Sequence, residues 1–263
     1  MDSTWRKLKN WIYCIYFVIV VYIVAIWYNT LQYVTPHKKA KFTREAGRVA
    51  LITGGGTGIG YETAKKLLER GMIVVIAGRK ADQKEGVENL QKKYNTRVKF
   101  IECDLSSLKS VRKASSSFKS LALPLHILIN NETVTLVNLL IAKLLFSNAL
   151  AIRLRNDNVP VLINSVHPAV AFSGLYKYSW LLKYNSFIMK RITKTPEMAS
   201  DTVVHAATSK EVKKGGDYYD NCQLRVPSKE ARSLIVAEKL WKLSCNQVGI
   251  KVNEVYDIIR KTK

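Results

Sequence analysis

The sequence predicts an α/β fold, a parallel sheet of strands alternating with helices, entered from one N-terminal membrane helix. Three observations predict it. From Arg48 to Asn130, short apolar runs alternate with longer polar stretches of helix length, a pattern that requires right-handed crossovers and a parallel sheet. A glycine-rich stretch, Thr53-Gly54-Gly55-Gly56-Thr57-Gly58-Ile59-Gly60, falls between the first apolar run and the first helical one. Ahead of both, Trp11–Tyr28 is an uncharged apolar run at the lower limit for crossing a bilayer as a helix.

The chain divides accordingly into a short segment 1–10, an anchor 11–28, a basic juxtamembrane linker 29–47 and a domain 48–263. A cleaved signal peptide fits the anchor poorly, because the apolar run is too long and no small-x-small cleavage site follows. Trp11, Trp27 and Tyr28 sit where interfacial aromatics belong. Arg6, Lys7 and Lys9 precede the run, and Lys38, Lys39, Lys41, Arg44 and Arg48 follow it. The heavier positive flank is C-terminal, which places the domain on the cytosolic side. In the domain, strands are expected at Arg48–Thr53, Met72–Ala77, Arg97–Cys103 and Leu125–Asn130, and helices at Tyr61–Arg70, Asp82–Tyr94 and Ser107–Ser120. Met72–Ala77 is apolar throughout, as befits a strand covered on both faces.

Composition narrows the partners. The 263 residues hold 42 Lys+Arg against 20 Asp+Glu, a net charge of +22, which favours anionic ligands or an anionic membrane surface. No basic run interleaved with aromatics stands out, so nucleic acid is not expected. Cys14, Cys103, Cys222 and Cys245 are scattered without a C-x-x-C pair; they form neither a zinc site nor a disulfide framework and suit a reducing compartment. His126, His167 and His205 are far apart and read as structural, and no metal site is expected.

The glycine stretch carries the chemistry. Between a strand and a helix, glycines let the backbone approach a pyrophosphate, while the helix N-terminus supplies unpaired N–H groups and positive partial charge. Thr53, Gly54, Thr57, Gly58, Ile59 and Gly60 are the expected cofactor residues in a Rossmann-like, doubly wound sheet. The second strand ends Ile76-Ala77-Gly78-Arg79-Lys80. Sites that prefer NAD place a carboxylate here for the ribose 2′-hydroxyl; Arg79 suits a 2′-phosphate instead, so the expected cofactor is NADP(H).

These residues resemble the short-chain dehydrogenase/reductase family, on its retinol-dehydrogenase-like side. Thr53–Gly60 fits the T-G-x-x-x-G-x-G loop. Asp104-Leu105 fits the D-L pair after the third strand, whose Asp meets the adenine amino group. Asn130-Asn131 begins the N-N-A-G motif, and Pro168–Ser173 is similar to its P-G-x-x-x-T stretch, with Ser173 for the hydroxyl that meets the nicotinamide carboxamide. Gly216–Cys222 and Ala237–Cys245 are similar to the C-terminus of retinol-dehydrogenase-like members. The resemblance implies Asp104, Leu105, Asn130, Pro168 and Ser173 as further cofactor residues. It also implies a lipophilic alcohol or carbonyl as substrate: polyprenol, retinoid or steroid.

The pattern then breaks. The family's chemistry uses a Tyr to pass a proton and a Lys four residues on to lower that Tyr's pKa. Here Asn130-Asn131 is followed by Glu132-Thr133, and the chain reaches Leu144–Leu150, similar to the helix after the catalytic Tyr-x-x-x-Lys, almost at once. One alignment puts Leu136 and Leu140 at the Tyr and Lys positions, another puts Leu139 at the Tyr, and no tyrosine occurs between Tyr94 and Tyr176. No catalytic residue is therefore assigned. Thr133–Asn138 is either a remnant of a fifth strand or the start of a helix; as a fifth parallel strand it fails, because a crossover needs about a dozen residues. The expectation is a sheet lacking its fifth strand, and one helix from about Leu136 to Arg155 whose apolar residues cover the sheet edge. Val159–Ser165 either leaves a gap or shifts beside strand four. Two further segments are read as follows. Leu175–Arg191, aromatic and basic, is either a lid dipping to the membrane or an ordinary amphipathic helix. Ser228–Leu243 is a helix whose Leu234, Ile235, Leu240 and Leu243 pack the core.

The expected function is that of a single-pass, membrane-anchored, NADP(H)-dependent oxidoreductase by lineage, on the endoplasmic reticulum or a lipid droplet, shortened as an isoform or an incomplete gene model and inactive as written. The alternative is a non-catalytic NADP(H)-binding or lipid-associated protein, alone or in a homo- or hetero-oligomer with a complete relative.

Overall fold

The computed structural model describes residues 34–131, 137–168 and 194–252, with isolated positions towards either end. It divides into two compact units, Met1–His37 with Ala169–Thr195, and Lys38–Pro168 with Pro196–Lys263. In the first unit the described positions Trp11, Tyr13, Tyr16, Ile23 and Trp27 are helical and exposed. The rest of the expected anchor, the segment Leu175–Arg191 and Ser173 lie outside the described residues. Among the described residues no helix is long and apolar enough to cross a membrane.

The second unit is built on a four-stranded parallel sheet. Its strands are β1 (Val49–Thr53), β2 (Ile73–Gly78), β3 (Val98–Glu102) and β4 (Ile127–Ile129), in the order β3-β2-β1-β4. Register pairs Leu51 with Val75 on one side and Leu128 on the other. Helices α1 (Gly58–Glu69), α2 (Lys80–Tyr94) and α3 (Leu108–Ser120) form the crossovers. The strands alternate their buried side chains between two cores, as a doubly wound sheet must. Ala50, Ile52, Val74 and Ile76 pack with Ala64, Leu67 and Leu68 of α1 and with Val87 and Leu90 of α2. Val49, Val75, Ala77 and Ile101 pack with Ala114 and Phe118 of α3. Strand four is shorter than expected. Its lead-in is fastened separately: the Val49 N–H donates to His126 Nδ1 (3.0 Å) and the His126 N–H to the Val49 carbonyl (3.0 Å).

The folded unit takes in Lys38 to Gly47, upstream of the boundary expected at Arg48. The Lys38 N–H donates to Asn221 Oδ1, the Ala40 N–H to Asp201 Oδ1, and the Glu45 N–H to the Arg70 carbonyl. Helix α5 (Pro196–Thr208), which follows α4 (Val137–Asn156) among the long helices, packs on α1, where Lys66 Nζ meets Asp201 Oδ1 at 2.8 Å with both side chains largely buried.

Beyond β4 the structure corrects the sequence reading. Helix α4 (Val137–Asn156) forms close to the expected span, but among the described residues its buried side chains pack against another helix rather than the sheet. Its buried Leu145 and Ala149 join Ala237, Trp241 and Cys245 of α6 (Leu234–Val248) in a separate core. Leu128 of β4 stays 54% exposed. Val159–Ser165 does not shift beside β4. Val159 is tied back to the end of α4, its N–H donating to the Leu154 carbonyl (2.9 Å). Only Ser165–His167 becomes a strand, β5, and it pairs parallel with β6 (Tyr218–Asp220). β6 turns through Asn221 and Cys222, both at positive φ, into antiparallel β7 (Gln223–Arg225), the backbone a tight hairpin needs. Helix α6 also starts later than expected, because the Ser233 hydroxyl caps it by accepting from the Val236 N–H. That phase turns Leu234, Ile235 and Leu243 outward and buries Ala237, Trp241 and Cys245.

One buried histidine gives the fold a pH dependence. His205 of α5 is buried with its ring edge-on to Tyr219 (5.8 Å between centroids). Burial, assisted by Lys41 and opposed by Glu211, holds it below its ordinary 6.5. The unfolded chain therefore takes up this proton first, and stability falls as pH drops below 6.5 until the folded imidazole titrates as well. In urea melts at pH 7.5 and 5.5, His205→Phe is expected to lose less stability on acidification than the parent chain; an equal loss would remove the assignment.

Candidate cofactor-binding site

Parallel pairing brings the ends of four strands to one edge, the place where open α/β sheets bind ligands. Thr53 ends β1, and its Oγ1 accepts the Asn131 N–H (3.0 Å), which fastens the end of β4 beside it. Gly54 turns away at φ +65 while its N–H donates to the Ala77 carbonyl (2.8 Å). Gly58 opens α1 at φ +52, a left-handed backbone that side chains strain. Thr57 is the exposed N-cap, and its side chain makes no capping bond. The first helical bond is Tyr61 N–H to Thr57 C=O (3.1 Å), so the N–H groups of Gly58, Ile59 and Gly60 end the helix without intrahelical partners. A Cβ on Gly60 would stand 2.2 Å from the Gly54 carbonyl oxygen and 2.5 Å from Asn131 Nδ2. The cradle closes only with glycine at that position.

The loop is also held from behind, by residues the sequence reading did not single out. The Gly56 N–H donates to the buried Gln83 Oε1 of α2 (2.6 Å). One turn further along α2, a Cβ on Gly86 would meet the Gly56 carbonyl oxygen at 1.9 Å. An isolated glycine inside a helix was the available signal, since such a residue costs helix stability unless something needs the space.

Arg79 caps α2 at the end of β2, with Nε 2.6 Å from Asp82 Oδ2. Asp104 follows β3. Its Oδ1 accepts from the N–H and hydroxyl of Ser106 (2.9 and 2.8 Å). These bonds hold its carboxyl below the usual range, with a further push from the charge of Arg79. An ionised carboxylate is an acceptor only, as the amino group of an adenine requires. Arg79, Lys80, Asp104, Ser110 and Lys113 line a cavity of about 610 Å³ at this corner. Leu105 is half-exposed beside it, and Asn130 is exposed at the end of β4. Thus Thr53–Gly60, Arg79, Asp104 and Asn130 share one edge of the sheet. Pro168 instead follows β5 in the smaller sheet. Among the described residues no cluster of His, Cys, Asp and Glu could hold a metal ion.

Comparison with known proteins agrees with this geometry. The family model described as short chain dehydrogenase matches residues 48–148. Retinol dehydrogenase 11 of Mus musculus is 27% identical over 280 residues, covering 79% of this chain and 88% of the relative. Short-chain dehydrogenase TIC 32 A, chloroplastic, of Brassica napus is 30% identical over 286 residues, covering 76% and 88%. Polyprenol dehydrogenase of Homo sapiens is 44% identical over 98 residues, covering 36% and 30%. Among solved structures, L-sorbose reductase from Gluconobacter frateurii, complexed with NADPH and L-sorbose, shares the fold at a TM-score of 0.56 and 17% identity, covering 68% of this chain and 96% of its own. The alignment with retinol dehydrogenase 11 spans 280 positions, whereas 79% of 263 residues is about 208, so about 70 positions of that relative have no counterpart here. With the phosphate loop, the strand order and a 30% identical relative covered over 88% of its length, the chain belongs to the short-chain dehydrogenase family and is retinol-dehydrogenase-like.

Proposed function

We propose that this chain binds NADP(H) at the Thr53–Gly60 edge and does not transfer hydride. By descent it is a membrane-anchored oxidoreductase of lipophilic alcohols or carbonyls such as polyprenols, retinoids or steroids, with its domain facing the cytosol. The observation that carries the cofactor half is Arg79, a cation at the end of β2 on the same edge as the uncapped N-terminus of α1 and the ionised Asp104. The α1 N–H groups would hold the pyrophosphate, Asp104 would accept from the adenine, and Arg79 would meet the 2′-phosphate. When bound, the nicotinamide supplies the hydride chemistry. The chain's part would be to position a substrate oxygen and move its proton, and α4, the helix that the resemblance aligns with the catalytic one, contains no tyrosine. The positions of retinol dehydrogenase 11 without a counterpart support the same reading. General acid–base catalysis contributes about 10²–10⁴-fold, so its loss leaves a binder.

Calorimetric titration is expected to show saturable NADPH binding that is tighter than NADH binding. Arg79→Ala should weaken NADPH about 10- to 100-fold, the worth of one charge-assisted contact, and leave NADH unchanged. With retinal and NADPH, absorbance at the nicotinamide band should not fall above the enzyme-free rate. Turnover by the purified full chain would overturn the inactive reading, and equal affinity for both cofactors would overturn the assignment to NADP(H).

A further inference from the structure

We infer that Asp82 is a specificity-determining residue that weakens the binding of a 2′-phosphate beside Arg79, an inference that rests on the NADP(H) reading above. The carboxylate lies in the first turn of α2 with Oδ2 2.6 Å from Arg79 Nε. Two features of that corner attract an anion, the guanidinium and the N-terminal turn of α2. Arg79 is the N-cap, and its side chain forms no capping bond. Asp82 is the anion the chain itself supplies to both.

A 2′-phosphate arriving at this corner has to share Arg79 with Asp82. Both side chains are substantially exposed, at 67% and 48%, so the ion pair itself is weak. Competition for the guanidinium therefore costs the ligand little. The larger effect is repulsion, because the phosphate carries close to two negative charges and must sit beside a fixed third one. Lys80 and Lys113 line the same cavity and offset part of that repulsion. Glu102 and Asp104 line it too and add to the repulsion, Asp104 with its Oδ1 fastened to Ser106. The discrimination between NADPH and NADH is thus set by a cation and a carboxylate three residues apart on one helix end. Neither residue alone decides it.

The test is Asp82→Asn in the full chain, titrated with NADPH and NADH at low salt and at about 0.3 M salt, where exposed charges are screened. The expected result is an NADPH affinity raised about threefold to tenfold at low salt, less at high salt, with NADH unchanged. Most of the gain should persist in the Arg79→Ala background, because the repulsion between Asp82 and the phosphate does not pass through Arg79. Unchanged or weaker NADPH binding overturns the proposal; a weaker one would mean that Asp82 positions Arg79 instead. An equal gain for NADH also overturns it, since the effect would then be general to anions. If Arg79→Ala alone leaves NADPH binding intact, it is the 2′-phosphate reading that has failed. Cooperative urea unfolding of each variant separates these outcomes from loss of the fold.

Discussion

Gly86→Ala is expected to destabilise the protein and to weaken NADPH binding at least tenfold. Intrinsic propensity argues the opposite sign, because alanine inside a helix is favoured over glycine by about 1 kcal/mol. The structure reverses it. The new Cβ would lie 1.9 Å from the Gly56 carbonyl oxygen and 2.7 Å from its carbon. Both are backbone atoms, so no side chain can swing away. Either α2 or the phosphate loop has to move, and overpacking of this kind costs about 1–3 kcal/mol. The loop is the weaker partner, since it is irregular backbone hydrogen-bonded to α2 through Gly56 and Gln83, whereas α2 is a continuous helix. Displacing one N–H group from a phosphate forfeits a charge-assisted bond worth about 1.5–3 kcal/mol, the origin of the tenfold figure. Urea unfolding and an NADPH titration of the same preparation check both parts. A more stable variant with unchanged affinity would show that the loop does not lean on Gly86.

Trp241→Ala is expected to cost about 3–5 kcal/mol, the range for truncating a large buried aromatic. Trp241 is 3% exposed, stacks on Phe146 at 5.0 Å between centroids, and lies under the Arg153 guanidinium at 4.4 Å. Arg153 is itself buried and ion-paired with Glu238 at 2.5 Å, so removing the ring strips packing from a charge that stays inside. A domain of this kind is stable by only about 5–15 kcal/mol, which makes this loss a large fraction of the total. The residues concerned join α4 to α6, in a core separate from the two that flank the sheet. NADPH affinity of the folded variant should therefore remain within about twofold while the urea midpoint drops. A comparable loss of affinity would show that the α4–α6 core supports the cofactor edge.

Much of this was legible in the sequence, and the reason is locality. The phosphate loop is specified by glycines within eight residues, and two of them, Gly54 and Gly58, sit at positive φ as that motif needs. The strands of the parallel sheet could be read from short apolar runs because both faces of β2 are buried, so every residue carries the signal. Helix α4 was found for a similar reason: too few residues separate it from Asn131 to build another crossover. The strand boundaries were less legible, since hydrogen bonds from distant elements set them, as His126 and Val49 do at β4.

What the sequence by itself determined is the Thr53–Gly60 cradle, the cation after the second strand and the absence of a tyrosine from α4. Each depends on residues that are neighbours along the chain. Only the tertiary structure decided which partner α4 takes, which face of α6 is buried, that Gly86 backs the loop, and that Arg79 already holds a carboxylate. Those outcomes depend on which side chains compete for the same space or charge. That competition is settled when helices dock, because an apolar helix gains nearly the same burial against a sheet as against another helix, and local periodicity does not distinguish the two.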